Sequence, residues 1–174
     1  LPYVTYRSIS GDTSEKVGGV ACHSGKVGAH AVFVCIRGGR SDGHDYILEA
    51  VERGACVIVA EHGYVMWSRQ GAFILTERRK VDLSELVKGK GICVVTADDT
   101  RKFLSEISAA FYGFPAKKLS VIGITGTGGK TTTMFLTAAI LREAGYKVGM
   151  IGTGYYEDGE HAGETENTTP PACE

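Results

Sequence analysis

A glycine-rich loop between an apolar run and an amphipathic segment constrains the fold of this chain more than any other feature. Residues 119–124 are apolar enough to form a buried strand, and residues 131–144 carry apolar side chains at helical spacing until Gly145. Residues 148–151 are again apolar and predict a parallel return strand. A strand, a glycine loop, a helix and a second strand in this order predict one βαβ unit.

The loop has the composition of a phosphate cradle. Glycines let backbone N–H groups converge on phosphate oxygens, and the following helix points its positive end at the same place. We expect the Lys130 amino group to lie beside the β- and γ-phosphates and to act as the catalytic cation, and the Thr131 hydroxyl to ligate Mg²⁺. The spacing differs from the general G-x-x-x-x-G-K-[ST] pattern, because Ile124 stands where that pattern has its first glycine. The predicted ATP-binding residues are Gly126, Thr127, Gly128, Gly129, Lys130, Thr131 and Thr132.

The N-terminal half alternates short apolar runs with helical patterns. Apolar runs of this length are typical of strands that are buried on both faces of a parallel sheet. The predicted strands are residues 31–36, 56–60, 72–75 and 92–95, and a helical turn is predicted at residues 83–87. One helix can begin at Asp42 or Gly43 and end at Gly54, and a second can be capped by Asp98 or Asp99.

These elements predict an α/β fold in two parts. Residues 1–97 are expected to form a small N-terminal α/β domain. Residues 98–174 are expected to form the start of a parallel-sheet ATPase domain of the P-loop type, which the chain does not complete.

Composition excludes several classes of function. The 174 residues carry 19 basic and 20 acidic side chains, a net charge of −1. The sequence therefore lacks the excess of basic residues that is typical of nucleic-acid-binding proteins. No apolar stretch approaches the roughly 18 residues that cross a bilayer, and the N-terminus lacks a signal-peptide pattern. Five scattered cysteines without CxxC spacing favour a reducing compartment, and we therefore expect a cytoplasmic protein.

Four stretches of this sequence resemble the Mur ligases, the bacterial enzymes that build the peptidoglycan stem peptide. The loop and its flanks, residues 123–133, are similar to the ATP loop of that family, and residues 32–46 are similar to its N-terminal substrate domain. Residues 111–115 match the lead-in to the ATP strand, and residues 166–170, Glu-Asn-Thr-Thr-Pro, match a substrate-binding segment. Within the family the chain is most similar to MurE, the members that add the third amino acid to UDP-N-acetylmuramoyl-dipeptide.

The resemblance implies a set of substrate-binding residues. The UDP-sugar would be met from the N-terminal domain by Cys22, Ser24, Gly39, Arg40 and Ser41, and from the central domain by Asn167, Thr168 and Thr169. The implied cofactors are ATP and Mg²⁺, and the implied partners are a UDP-N-acetylmuramoyl-dipeptide and an amino acid. The implied reaction forms an acyl phosphate on the substrate carboxylate, which the amine of the amino acid then attacks. The resemblance also implies that the chain is the N-terminal part of a longer enzyme and is inactive alone.

At three positions of the N-terminal half the chain lacks a charged residue of the family pattern, and Gly128 replaces the usual asparagine of the ATP loop. His23 and Gly25 replace an aspartate and an arginine, and Ala31 replaces an acidic residue. These changes keep open a diverged Mur-like protein that binds nucleotide without catalysis. A Mur-type ligase with another substrate, as in MurF or a cyanophycin synthetase, is a further alternative.

Overall fold

The computed structural model describes residues 4–12, 14, 16–39, 41–68, 71–76, 80–83, 85–165 and 171–173. The strands are β1 (Ser8–Ser10), β2 (Gly19–Ala21), β3 (Ala31–Val34), β4 (Ala55–Glu61), β5 (Val65–Ser68), β6 (Gly71–Leu75), β7 (Lys80–Asp82), β8 (Cys93–Ala97), β9 (Met150–Gly152), β10 (Tyr155–Glu157) and β11 (Ala162–Gly163). The α-helices are α1 (Ile47–Glu52), α2 (Thr100–Phe111) and α3 (Lys130–Glu143). The 3₁₀ helices are Ser24–Lys26, Gly43–Tyr46, His62–Tyr64 and Pro115–Lys118, and Glu85–Gly89 forms a π-helical turn.

A five-stranded sheet organises the N-terminal part of the chain. Its strand order is β1-β8-β4-β3-β2, and every pair is parallel except β1 with β8. The predicted strands at residues 31–36, 56–60 and 92–95 are confirmed as β3, β4 and β8. The short strands β1 and β2 were not predicted, because polar residues and glycines interrupt the apolar pattern there.

Both faces of this sheet are buried, which explains the nearly continuous apolar runs of its central strands. Phe33 and Ile58 pack on one face with α1, and Val34 and Val59 pack on the other face with α2. Phe33 is 1% exposed and the other three side chains are fully buried. The alternation along each strand therefore follows the period of two that a pleated sheet imposes.

The helices of this part begin and end where the sequence predicted. The Asp42 side chain accepts from the His44 N–H and begins the 3₁₀ helix that leads into α1, and Gly54 follows α1 at φ +105°. The Asp99 side chain accepts from the first-turn N–H groups of α2, and Gly113 follows that helix at φ +72°. Short polar side chains at the beginning and left-handed glycines at the end are the usual boundaries of helices.

Residues 62–92 contain a second sheet that the sequence indicated only in part. β5, β6 and β7 are antiparallel neighbours in that order. β6 confirms the predicted strand at residues 72–75, and the predicted helical turn at 83–87 is the π-helical turn Glu85–Gly89. Ile74 and Leu86 are buried in the same apolar cluster as Phe33, so this sheet covers part of the first one.

The chain divides into two compact units between Lys117 and Lys118. The sequence pattern placed the domain boundary after residue 97, which would separate α2 from the first sheet. In the structure Phe103 and Leu104 of α2 are buried against that sheet, so α2 is part of the first unit.

The second unit corrects two predictions. The predicted strand at residues 119–124 does not form: Val121 is 76% exposed and Ile122 is 60% exposed, and none of the described strands pairs with them. The predicted parallel return strand is also wrong, because β9 pairs antiparallel with β10 in a three-stranded sheet of order β11-β10-β9. A strand forms only where a neighbouring strand satisfies its backbone hydrogen bonds. For β9 that neighbour is β10, and the short turn at Gly154 brings the two together at a small cost in loop-closure entropy.

The predicted helix after the glycine loop is confirmed as α3. Arg142 near its end donates to Glu157 Oε1 at 2.7 Å and to the Val148 carbonyl oxygen at 3.2 Å. These bonds tie the last turn of α3 to the β9–β10 hairpin. The predicted helix and glycine loop are thus present without the βαβ arrangement of strands around them.

Candidate functional site

The glycine loop presents its backbone to solvent. Gly126 has φ +155° and Gly129 has φ +73°. Residues other than glycine rarely adopt these positive φ angles. Gly129 occupies the cap position of α3 and has no side chain to bond the first-turn amides. The helical hydrogen bonds begin at this residue, where the Thr133 N–H donates to the Gly129 carbonyl oxygen at 2.9 Å. The N–H groups of residues 130–132 are therefore available to an anion at the positive end of the helix.

The Lys130 side chain folds back across this loop. Its amino group donates to the carbonyl oxygen of Gly126 at 2.7 Å, and the residue is exposed. The ammonium group thus lies over the same turn whose amides are open. A phosphate that bound there would meet both kinds of donor at once.

The remaining predicted ATP residues are also exposed. Thr127, Thr131 and Thr132 lie on the solvent side of the loop and of the first turn of α3. Mg²⁺ in nucleotide sites keeps several waters and takes few protein ligands, so one accessible hydroxyl fits the ion. The exposed Thr131 hydroxyl and the open amides of the first turn therefore fit a magnesium-nucleotide.

A second group of predicted residues lies at the carboxyl ends of β2 and β3. These strands are parallel neighbours, with Ala21 opposite Phe33, so the segments that follow them begin side by side. Cys22 is half-buried, and Ser24 begins a 3₁₀ helix and is 7% exposed. Ligands of open parallel sheets bind outside the carboxyl ends of the strands. The structure therefore brings the Cys22–Ser24 segment to an edge where binding sites commonly occur.

A tight loop after β3 carries the other predicted residues. The Gly38 N–H donates to the Ser41 carbonyl oxygen at 2.9 Å, and the Gly43 N–H donates to the Ile36 carbonyl oxygen at the same distance. A Cβ atom at position 43 would lie 2.6 Å from the Ile36 amide nitrogen, so only glycine fits there. We name residues 38–41 the substrate turn, after the role that the resemblance implies for three of them. Its Gly39 and Ser41 are exposed, and Arg40 lies outside the described residues.

Sequence reasoning missed a polar network beneath the substrate turn. Asp42 Oδ1 lies 2.6 Å from His44 Nδ1 and accepts from the His44 N–H at 3.0 Å. Asp42 Oδ2 accepts from the Tyr64 hydroxyl at 2.5 Å. Asp42 was predicted only as the beginning of a helix, and Tyr64 lies 22 residues along the chain in a weakly patterned segment, so no local signal joins them.

The network shifts the pKa values of two of its members. Partial burial opposes ionisation of Asp42, but the hydrogen bonds from Tyr64 and His44 outweigh that effect and hold the Asp42 pKa below its ordinary value. The hydrogen bond to Asp42, together with burial, raises the pKa of Tyr64 to about 12. Both shifts favour the same state, a carboxylate that accepts from a neutral phenol.

Two further contacts were missed at this edge. His23 Nδ1 accepts from the Gly25 N–H at 3.2 Å, so this side chain caps the 3₁₀ helix that contains Ser24. Arg101 of α2 donates to the carbonyl oxygen of Arg37 at 2.8 Å and thereby holds the residue before the substrate turn. A histidine that follows a strand and an arginine in a first helical turn are common patterns, and neither one alone indicates these roles.

The predicted substrate residues Asn167, Thr168 and Thr169 lie outside the described residues. Across the described part of the chain, no three histidine, cysteine or acidic side chains are grouped to hold a metal ion. Among the same residues no helix combines the length and the apolarity needed to cross a bilayer. Burial raises the pKa of the Cys35 thiol well above its ordinary value, with a contribution from Asp42, as expected of a core cysteine.

Curated relatives share much of this sequence. The chain is 40% identical over 151 residues to a protein of Clostridium botulinum named UDP-N-acetylmuramoyl-L-alanyl-D-glutamate–2,6-diaminopimelate ligase, covering 87% of this chain and 27% of that protein. A ligase of Clostridium acetobutylicum with the same name, numbered 1, is 37% identical over 98% of this chain and 31% of its own length. A ligase of the same name from Aquifex aeolicus is 40% identical over 90% of this chain and 27% of its own length. The chain thus spans less than a third of the length of these relatives.

Solved structures of MurF proteins are also similar. One from Acinetobacter baumannii aligns with a TM-score of 0.49 and 22% identity over 75% of this chain and 23% of its own. One from Thermotoga maritima, in complex with ADP, aligns with a TM-score of 0.44 and 26% identity over 72% of this chain and 23% of its own.

Two family profiles match the chain along most of its length. The profile described as Mur ligase middle domain matches residues 124–174, which include the glycine loop. The profile described as Mur ligase family, catalytic domain, matches residues 16–112, more than half of the chain. The resemblance carried by the loop and by residues 32–46 is confirmed, and the chain belongs to the Mur ligase family.

Proposed function

We propose that this protein is an ATP-dependent ligase that joins an amino acid to UDP-N-acetylmuramoyl-L-alanyl-D-glutamate in the bacterial cytoplasm. The observation that carries the proposal is the open glycine loop at the beginning of α3 in a chain of this family. The first unit would bind the UDP-sugar and the second unit the nucleotide. The relatives named as diaminopimelate ligases support the choice of substrate.

The loop supports the first chemical step through charge and geometry. The free amides of the first turn and the Lys130 ammonium group would bind the transferring phosphoryl group, on which negative charge is spread. Attack by the substrate carboxylate on the γ-phosphorus forms the acyl phosphate and releases ADP. The amine of the amino acid then attacks the acyl carbon, and inorganic phosphate leaves. Mg²⁺, held in part by Thr131, would neutralise charge on the phosphate oxygens.

The substrate turn and the Cys22–Ser24 segment would bind the UDP-sugar at the edge of the first sheet. Exposed Gly39 and Ser41 offer backbone groups and a hydroxyl, and Ser24 lies at the end of the neighbouring strand. Arg40 is proposed to contribute to this site, and Asn167, Thr168 and Thr169 are proposed to bind the substrate from the second unit.

The test is substrate-dependent phosphate release by the full-length protein. Phosphate is measured with ATP, Mg²⁺, the UDP-sugar dipeptide and either diaminopimelate or lysine, and each component is then omitted in turn. A ligase releases phosphate only in the complete mixture and yields a UDP-sugar tripeptide by mass spectrometry. Hydrolysis of ATP that is independent of the other substrates, or no hydrolysis with any amino acid, would rule the proposal out.

A nucleotide-binding protein without ligase activity is the second candidate. One observation favours it. His23 stands where the family has an acidic residue, and its Nδ1 atom already accepts a hydrogen bond from the Gly25 N–H. Calorimetry with the UDP-sugar dipeptide separates the two candidates. The ligase binds it, whereas the second candidate binds only the magnesium-nucleotide.

A further inference from the structure

The network beneath the substrate turn is fixed in one hydrogen-bonding pattern. The Glu61 N–H donates to His44 Nε2 at 3.0 Å, so this nitrogen carries no proton and the proton resides on Nδ1. His44 is fully buried, and the Tyr64 ring stacks on it with ring centroids 3.9 Å apart and an interplanar angle of 4°. The two oxygens of the Asp42 carboxylate therefore both accept hydrogen bonds, Oδ1 from the His44 Nδ1–H and Oδ2 from the Tyr64 hydroxyl.

This network is attached to both sheets of the first unit. Glu61 is the last residue of β4, the central strand of the five-stranded sheet. Tyr64 ends the 3₁₀ helix that leads into β5. A second bond from the same region, Thr76 Oγ1 to Asp45 Oδ1 at 2.5 Å, holds the 3₁₀ helix in which His44 lies.

The network also closes the base of the substrate turn. Asp42 forms a backbone bridge with Arg37, and these two residues flank the turn on either side. Within them the Gly38 N–H bonds the Ser41 carbonyl oxygen. The side-chain bonds help to hold Asp42 in place, and its backbone bridge to Arg37 extends that restraint to both ends of the turn. Gly39 and Ser41 of the turn are exposed, whereas His44 of the network is fully buried.

We propose that Asp42, His44 and Tyr64 are positioning residues that preorganise the substrate turn for the UDP-sugar. The inference rests on the proposed function of that turn. None of the three side chains needs to touch the substrate, because each acts through the backbone of Asp42, which forms a bridge with Arg37. Preorganisation raises affinity by lowering the ordering cost at binding, so loss of the network should weaken UDP-sugar binding and leave nucleotide binding unchanged.

The test uses Tyr64→Phe in the full-length protein. This change removes the hydroxyl bond to Asp42 and keeps the ring that stacks on His44. Titration calorimetry with UDP and with the UDP-sugar dipeptide should show a Kd about fivefold higher, the factor that about 1 kcal/mol of lost preorganisation represents. The Kd of magnesium-ADP should stay constant, and the KM of the UDP-sugar should rise more than kcat falls. Hydrogen exchange at the Gly38 amide should become about fivefold faster as the turn opens more often.

The matched control is Tyr155→Phe, which removes a hydroxyl–carboxylate bond of 2.9 Å to Glu157 in the second unit. It should leave UDP-sugar affinity and Gly38 exchange unchanged. Equal UDP-sugar affinity in Tyr64→Phe and the natural protein would overturn the inference. A parallel loss of UDP-sugar and nucleotide affinity would also overturn it, because that result describes a general structural role. If the natural protein binds magnesium-ADP but no UDP-sugar, the proposed function itself is wrong.

Discussion

The Lys130 amino group donates to the carbonyl oxygen of Gly126 across the glycine loop, at 2.7 Å. This bond spans the turn in which two glycines adopt positive φ angles, so it links the beginning of the glycine loop to the first residue of α3. A carbonyl oxygen and a phosphate oxygen are both acceptors, but the phosphate carries charge. The ammonium donor is charged in both cases, but an anionic phosphate adds a Coulomb attraction that a neutral carbonyl lacks, so a bound nucleotide would displace the carbonyl.

Lys130→Met should abolish ligation while the protein stays folded. Methionine keeps an unbranched side chain of similar length and removes the charge beside the transferring phosphate. We expect a fall in kcat of about 100-fold or more, the usual cost of losing one electrostatic stabiliser of a transition state. Phosphate release by the full-length protein measures it, with the exposed Lys147→Met as the control. Activity within a few-fold of the natural protein would contradict a catalytic role for Lys130.

Two neighbouring glycines should respond differently to alanine. Gly129 has φ +73° and Gly128 lies outside the left-handed region, while a Cβ at either position would meet open space. Gly129→Ala therefore brings backbone strain of about 1–2 kcal/mol without a clash. Its Kd for magnesium-ADP should rise about tenfold, and that of Gly128→Ala should change by less than about twofold. Equal effects would show that the loop changes its conformation when nucleotide binds.

The Asp42–Tyr64 hydrogen bond should make stability depend on pH at both ends of the range. The hydrogen bonds from Tyr64 and His44, which outweigh partial burial, lower the Asp42 pKa. Its contribution is therefore present above the unfolded value of about 3.9 and is lost as pH falls through the folded value. The Tyr64 pKa is raised to about 12. Its contribution is present below the unfolded value of about 10 and is lost as pH rises toward the folded one.

Urea unfolding at a series of pH values measures this dependence. Tyr64→Phe should flatten the alkaline decline and weaken the acidic one, since it removes one phenol and one of the bonds to Asp42. Tyr46→Phe, which changes a half-exposed ring on the adjacent 3₁₀ helix, should reproduce the natural curve. An unchanged alkaline limb in Tyr64→Phe would exclude the raised Tyr64 pKa as its cause.

Ser108→Ala should stabilise the protein. Ser108 is 2% exposed on the inner face of α2, and among the described residues its hydroxyl has no hydrogen-bond partner. Removing an unsatisfied buried hydroxyl and improving helix propensity should together raise the free energy of unfolding by about 0.5–1 kcal/mol. Ser105→Ala on the exposed side of the same helix changes the propensity alone and should gain less. The urea midpoint measures both, and a loss of stability in Ser108→Ala would reveal a partner for the hydroxyl.

The elements that the sequence predicted correctly are those whose pattern is set by local burial or capping. β3, β4 and β8 are buried on both faces, and such strands are visible as apolar runs. Asp99 before α2 and Gly113 after it act within a few residues of themselves. The glycine loop and the beginning of α3 also belong to this class, because Gly129 ends the loop and caps the helix locally.

The features that were missed or mispredicted depend on distant partners. Residues 119–124 have the composition of a strand, but composition cannot supply the neighbour with which a strand pairs. β1, with the polar sequence Ser-Ile-Ser, is a strand only because it lies along β8. No sequence pattern around Tyr64 indicates its bond to Asp42, because the two residues come together only in the folded chain. Contacts of this kind need the tertiary structure.

The packing of α2 onto the first sheet determines at which positions segments of two Mur ligases can be recombined into a chimera. A junction at residue 97 would leave Val34, Val59 and Val95 facing a helix from another parent, whose side chains were selected against a different surface. A junction after Lys117 would transfer the sheet and its covering helix as one piece. Recombination between members of the family should therefore succeed at the second position and yield insoluble chimeras at the first.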